Sequence, residues 1–219
     1  MTDINDMKAL LSGCFSMTDL GPCSFYSGMH VAQLPDGSVQ LHQSAYIHQI
    51  LRRYGLLDLH PRKTPMRTEP KLQKHTGAKG DIEFIRLYQS KVGALDYAMT
   101  VSRLDIAYAV GVMSRYNANP NSSHMQAVDD IYSYLKVTPN LSPLYKAGTS
   151  KLHAFVDADH AGCLDTYRST TGFLVLLSGS PISWASRRQK NCGTVNYRSR
   201  IHGCLEGGSR THLDSELDW

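Results

Sequence analysis

The spacing of apolar residues changes once along this chain, and that change limits what it can fold into. Between Phe84 and Leu135 apolar residues recur at helical spacing, while from Leu152 to Gln189 they alternate. A helical stripe must bury against other helices, and an alternating run buries one face of a sheet. Helices followed by a meander predict an α+β fold divided near residue 147.

Local signals fill in the rest. Ile4, Met7, Leu10 and Leu11 share a face of a short helix from Asp3 to Leu11. Phe25–Ala32 and Ser38–Leu41 read as a β-hairpin around Leu34-Pro35-Asp36-Gly37. Ile47, Ile50, Leu51 and Tyr54 define a helix with Arg52 and Arg53 in its last turn and Gly55 as its C-terminal cap. The polar stretch from Leu56 to Ile82, with three prolines and two glycines, reads as a connecting segment. Three helices follow. The first spans Phe84–Thr100. The second is capped by Ser102 and Asp105 and buries Ile106, Val110 and Met113. The third is capped by Ser123 and Gln126, with Met125, Val128, Tyr132 and Leu135 inside. Leu152–Asp157, Thr171–Leu177 and Ile182–Gln189 are then predicted as three antiparallel strands, the last two joined around Ser178-Gly179-Ser180-Pro181. From Val195 to Trp219 no period survives, which predicts a disordered tail.

Composition narrows the class of protein. Five cysteines, odd in number and without a CxxC pair, argue against a zinc site or a disulfide framework and suit a reducing compartment. Neither a secretory signal nor an apolar run of membrane-spanning length is visible, so an intracellular location, cytoplasmic or nuclear and not secreted, is expected, with no membrane partner. A net charge of +4 and a pI near 8.8 permit nucleic-acid binding without demonstrating it.

Five segments in order carry a family resemblance. They are FSMTDLG with SFYSGMHV (Phe15 to Val31), LHQSAYIHQILRRYGL (Leu41 to Leu56), YQSKVGALDYAMTVSRLDIAYAVGVMSRYNANP (Tyr88 to Pro120), HMQAVDDIYSYLKVT (His124 to Thr138), and VDADHAG with RSTTGF and PISWASRRQK (Val156 to Lys190). Together they resemble the copia-type retrotransposon Pol polyprotein downstream of its reverse-transcriptase palm. The resemblance implies a primer-hairpin and thumb-helix region over 1–57, a linker over 58–82, and connection helices over 83–146. It also implies the N-terminal half of an RNase H-like domain over 147–194, with a truncated three-stranded meander, followed by a tail over 195–219. The family's YxDD-type polymerase carboxylates lie upstream of these segments, so no primer extension is expected of the chain by itself. Leu104 stands where the family usually has proline, Met125 and His160 where it has tryptophan, and Asp96 where it has an apolar residue. Where such positions are buried, each change is expected to cost about 1–4 kcal/mol.

The resemblance also implies the chemistry. RNase H cleavage in the family uses two divalent metals, Mg2+ by preference, held by carboxylates from separate elements. Asp157 maps onto the first acid, and Asp159 shares its side only if the strand continues. The second acid belongs to an S-T-T-E-A-E-Y helix after Lys190, where this chain instead reads NYRSRIHG and has no acid before Glu206. Asp157 is therefore expected to be a vestigial catalytic and metal-binding residue, with Mg2+ not bound productively. Phe25, Tyr26 and Gly28 fall in the primer-hairpin equivalent, and Arg168, Arg187, Arg188 and Lys190 form a basic patch. These are the candidate contacts to an RNA–DNA hybrid or primer–template. The plainer alternative makes Phe25 and Tyr26 core residues and the arginines a solvated face.

The tail has a specific explanation. Codons permitted for Val195 to His202, GTC AAC TAC AGA AGC AGA ATA CAT, read one base later as S-T-T-E-A-E-Y, and permitted codons continue it as M-A-A-L-K-E-A-A-E-H-I-W-I-R-N. The expected product is thus the remnant of a Pol polyprotein whose catalytic helix is encoded out of frame. The rival expectations are a domesticated nucleic-acid-binding protein without catalysis and a weak residual RNase H.

Overall fold

A computed structural model describes residues 2–146, 151–159 and 162–189 and the strand at 203–205. The fold is α+β, as expected. Among the described residues, five α-helices, α1 (Thr2–Cys14), α2 (Ser44–Arg53), α3 (Ile82–Val101), α4 (Ala107–Met113) and α5 (Ser122–Val137), accompany two antiparallel sheets. The first sheet runs β1 (Phe25–Tyr26), β2 (Met29–Gln33), β3 (Val39–His42), β4 (Leu144–Tyr145) in spatial order. The second holds β5 (Leu152–Ala158), β6 (Thr170–Leu177), β7 (Ser180–Arg188) and β8 (Gly203–Leu205), in the order β7-β6-β5-β8. None of the described helices is long and apolar enough to cross a membrane.

The core forms where α2, α3, α4 and α5 turn their apolar stripes inward. Ile47, Leu51, Tyr88, Leu95, Ile106, Met113, Ile131, Tyr132 and Leu135 are all fully buried. Buried tyrosines need a partner for the hydroxyl. Tyr88 donates to the Met113 carbonyl at 2.8 Å and Tyr132 to the Lys91 carbonyl at 2.9 Å. Helix α2 ends as expected on Gly55. Its φ of +66° lets the Gly55 N–H reach the Arg52 carbonyl and the Leu56 N–H reach the Leu51 carbonyl, a paired C-terminal cap.

Several expected details are corrected. Asp105 does not cap the second helical stretch. It pairs instead with the fully buried Arg103, which donates from Nε to Asp105 Oδ1 at 3.0 Å and from Nη2 to Asp105 Oδ2 at 2.8 Å. The same guanidinium donates to the Thr138 carbonyl and hydroxyl, each at 2.7 Å, binding the end of α5 to the start of α4. Helix α5 is capped by Asn121 and His124, not by Ser123 and Gln126. The Asn121 side chain accepts the His124 N–H, and His124 Nδ1 accepts the Asn121 N–H. Asp96 is exposed on α3, so it carries no burial cost. Phe25–Ala32 is not one strand, because Ser27 and Gly28, both at positive φ, turn β1 back onto β2. Two residues at positive φ are the signature of a type I′ hairpin. The same device at Ser178-Gly179 joins β6 to β7 and places Ser180 and Pro181 inside the strand.

The segment after α2 has no regular structure but is pinned along its length. Arg62 and Arg67 both reach Asp130 on α5, and Lys136 Nζ donates to the Leu59 carbonyl at 2.9 Å. Tyr116 donates to the Leu72 carbonyl, and the Lys74 N–H donates to both carboxylate oxygens of Asp165 beyond β5. The second sheet is held to the helices by Trp184, whose indole N–H donates to the Met99 carbonyl at 3.0 Å. Arg115 adds a bond from Nη2 to Thr170 Oγ1. The predicted meander is present: β5 pairs antiparallel with β6 in register Asp157↔Gly172, and β6 with β7. Within the segment expected to lack order, Gly203–Leu205 adds a short strand to β5. The remaining tail residues, and His160, lie outside the described residues.

Arg103→Ala is expected to cost about 3–5 kcal/mol, read from urea unfolding, because it strips Asp105 and Thr138 of a buried partner. His124 gives a pH dependence. Burial first, and then the repulsion of His75, hold its pKa below the ordinary imidazole value, with Nδ1 accepting and Nε2 facing the Gln73 carbonyl at 2.9 Å. The unfolded chain therefore takes up this proton more readily than the folded one. Stability is expected to be fully present above the unfolded-state pKa of about 6.5 and to fall as pH drops below it. Urea unfolding at a series of pH values checks this, and His124→Gln should flatten the slope.

Candidate functional site

Strand β5 ends in the acids. Its period of two puts Phe155, Asp157 and Asp159 on one side, and the register adds Thr170, Gly172 and Leu174 from β6 and Trp184 and Ser186 from β7. Leu104, Ala107 and Tyr108, from the turn before α4 and its first residues, face them across an open cavity of about 700 Å³. The ladder continues one step past β5, since the Asp159 N–H donates to the Thr170 carbonyl at 3.0 Å. Asp157 and Asp159 therefore do share a side, the condition set by the sequence. Both are exposed. Asp157 Oδ1 accepts the Ala158 N–H at 2.9 Å, and Asp159 Oδ1 accepts the Thr170 N–H.

Two carboxylates on one strand end suit at most a single Mg2+ completed by water or phosphate oxygens. A two-metal site needs acids converging from separate elements. Among the described residues no group of three or more His, Cys, Asp or Glu side chains could hold a metal. The described residues do not fit the two-metal arrangement.

The basic residues lie at the same end of the sheet as the acids, Arg188 on their face and Arg187 on the other. Arg187 and Arg188 end β7 opposite Thr171 and Thr170, and Arg168 lies just before β6. Arg187 and Arg188 are exposed and Arg168 half-buried, while Lys190 lies outside the described residues. Arg188 is not a bare surface charge, because its Nη1 lies 3.7 Å from Cys163 Sγ. Burial would raise the Cys163 thiol, but hydrogen bonds from Thr166, Arg188 and the loop backbone outweigh it and bring its pKa down to about 7. Sequence reasoning missed Trp184, Tyr108 and Arg115, which form the opposite wall or anchor the sheet. Strand register brings Trp184 to the face of Asp157, and helix packing brings Tyr108 opposite it and Arg115 to Thr170; nothing in their local sequence announces it.

The hairpin residues form a separate surface on the first sheet. Phe25 and Tyr26 are 56% and 67% exposed, which overturns the alternative that they are core residues. Gly28 has a φ of +83°, and a Cβ there would come 2.8 Å from the Tyr97 hydroxyl, so the close backbone approach is real but is made by α3. Tyr97 donates to the Ser27 carbonyl at 2.7 Å and packs edge-on against Tyr46, which fixes the hairpin to α2 and α3.

Comparison with known proteins supplies the context for these surfaces. A family model described as reverse transcriptase (RNA-dependent DNA polymerase) matches residues 1–68. The chain is 37% identical over 210 residues to the retrovirus-related Pol polyprotein from transposon RE1 of Arabidopsis thaliana, covering 95% of this chain and 14% of that protein. It is also 37% identical over 193 residues to the corresponding polyprotein from transposon TNT 1-94 of Nicotiana tabacum, covering 85% and 14%. An uncharacterized mitochondrial protein of Arabidopsis thaliana is 37% identical over 190 residues, covering 86% of this chain and 77% of its own. The chain thus spans about one seventh of the Pol polyproteins it matches. No solved structure matches it.

Proposed function

This chain belongs to the retrovirus-related Pol polyproteins of transposons, and we propose that it is a nucleic-acid-binding remnant of that machinery without cleavage activity of its own. The observation that carries the reading is the placement of Asp157 and Asp159 on one strand end, where a two-metal site needs acids from separate elements. They are exposed at one strand end, and among the described residues no third ligand stands by them. Residues 1–57 take the place of the primer-hairpin and thumb-helix region, 58–82 the linker, and 83–146 the connection helices. Residues 147–194 take the place of the first half of an RNase H-like domain. The linker acts as a strap, given its bonds to Asp130 and Asp165. Phe25, Tyr26 and Gly28 meet a primer strand, and Arg168, Arg187, Arg188 and Lys190 attract the phosphates of an RNA–DNA hybrid. An intracellular location, cytoplasmic or nuclear, is part of the proposal and rests on the cysteine spacing of the sequence alone.

The missing acids have a genetic cause in this reading. Codons permitted for residues 195–219 spell, one base out of register, a peptide beginning STTEAEYMAALKEAAEHIWIR. Its Tyr, Met, Leu, Ile and Trp recur at helical spacing, and its first Glu supplies the second acid. A frameshift before residue 195 replaces that helix with the present tail. The alternative of a domesticated binding protein keeps the same hairpin and basic contacts and differs only in being retained for them.

Two measurements test this. Incubation of the chain with RNA–DNA hybrid and Mg2+ or Mn2+ is expected to give no cleavage above background, together with binding that weakens steeply as salt rises. Cleavage that disappears in Asp157→Asn would establish a residual RNase H instead. Sequencing the coding DNA is expected to show codons that spell the shifted peptide without a stop, and codons incompatible with it would sink the frameshift.

A further inference from the structure

Helix α1 stands outside the core. From Ile4 to Cys14 every residue except Lys8 is exposed, and Ile4, Met7 and Leu10 are each more than half exposed. A helix of 13 residues is marginal in water by itself, because most helical stability comes from packing an apolar face. Here that face is present and open. Ile4, Met7, Leu11 and Cys14 recur every three and four residues, the seam along which two helices lie side by side, and Leu10 flanks it. The chain after the helix adds to it. Lys8 Nζ lies 2.9 Å from Asp19 Oδ2, which brings residues 15–20 back beside α1, where Phe15, Met17 and Leu20 are also exposed.

The extent and charge of this surface narrow its partner. Its seven large apolar side chains, each more than a third exposed, offer on the order of 800 Å², about what each partner buries in a standard protein–protein interface. Single exposed apolar residues are ordinary, but a patch of this size marks a docking surface. Residues 4–20 carry only Asp6, Lys8 and Asp19 as charges, and Lys8 is already paired with Asp19. One basic residue is too few to hold an anionic lipid surface or a phosphate backbone. A patch so nearly neutral sets up little repulsion against a copy of itself.

We propose that α1 and the segment after it form a twofold interface between two copies of this chain, with Ile4, Met7, Leu10 and Leu11 at its centre. A twofold axis puts the same patch on both partners, so the apolar seam of one helix completes that of the other. Docking supplies the cover that α1 otherwise lacks and holds the helix folded. The dimer needs neither the acids at the end of β5 nor a bound nucleic acid, so it stands or falls independently of the nucleic-acid reading.

The test is the oligomeric state of the full chain, read by sedimentation velocity over a wide range of protein concentration. Wild type is expected to approach twice 24.4 kDa as concentration rises and to fall towards 24.4 kDa on dilution. Met7→Glu combined with Leu11→Glu should weaken dimerisation by at least about hundredfold, since it sets charges into the seam of both copies. Both positions are exposed, so the double variant should melt as diluted wild type does, which separates lost pairing from lost fold. Leu57→Glu, at an exposed apolar residue beyond α2, should dimerise like wild type. A wild type that stays at 24.4 kDa throughout would overturn the interface, and so would a dimer that survives the double substitution. A monomer that floats with neutral phospholipid vesicles would assign the face to a lipid surface instead. A monomer whose α1 amides resist hydrogen exchange would assign it to the rest of the same chain.

Discussion

One guanidinium, that of Arg103, stands where three helices meet. The chain leaves α3 at Ser102, turns through Leu104–Ile106 and enters α4, while the last residues of α5 arrive from the opposite side. Such a junction concentrates helix ends, and helix ends expose backbone carbonyls that no intrahelical partner satisfies. Arg103 donates to the Thr138 carbonyl, pairs with Asp105, and lies over the Tyr134 ring at 5.6 Å. A fully buried charge is tolerated only when its donors are occupied, and here each guanidinium nitrogen has a partner. The angle between α4 and α5 follows, and so does the wall that α4 presents to the second sheet.

That wall decides what the acids can do. Gly111 on α4 lies against the Ser186 carbonyl, where an added Cβ would stand 3.1 Å away, so the helix sits close to β7 at this point. Trp184 fills the next position and bonds the end of α3. The rest of the same sheet face, from Leu174 to Asp157, stays open to the cavity. The strap formed by residues 58–82 ties the helices together from the far side and reaches the loop after β5 through Asp165. The sheet that carries Asp157 is thereby held against the helices, while among the described residues no further acid converges on Asp157 and Asp159. Scaffold and chemistry are separable here, because packing depends on apolar faces and metal binding depends on a few carboxylates.

The hairpin shows the same separation. Its position is set by Tyr97 and by two residues at positive φ, and its exposed rings contribute little to the core. A surface that costs burial energy and is still held by specific hydrogen bonds is the kind on which binding residues are found. Helix α1 is less constrained: Ile4, Met7 and Leu10 each remain more than half exposed. Its amphipathic pattern was readable, but no described element covers that face.

Much of this was legible in the residues themselves. The helical stripes of α2, α3 and α5, the Gly55 cap, the alternation of β5 to β7 and the placing of Asp157 near the end of a strand are local consequences of side-chain spacing and backbone propensity. The caps at Asp105 and Ser123 were misread because Arg103 and Asn121 compete for the same groups, and a capping pattern cannot reveal which competitor is nearer. The split of the first strand at Ser27-Gly28 was hidden because serine rarely signals positive φ without its partner across the hairpin. The meeting of Phe25, His30 and His42 spans three strands of one sheet, and that of Asp157 with Tyr108 and Trp184 joins residues far apart in the chain. Register and helix packing decide such meetings, so they exist only once the tertiary structure has formed.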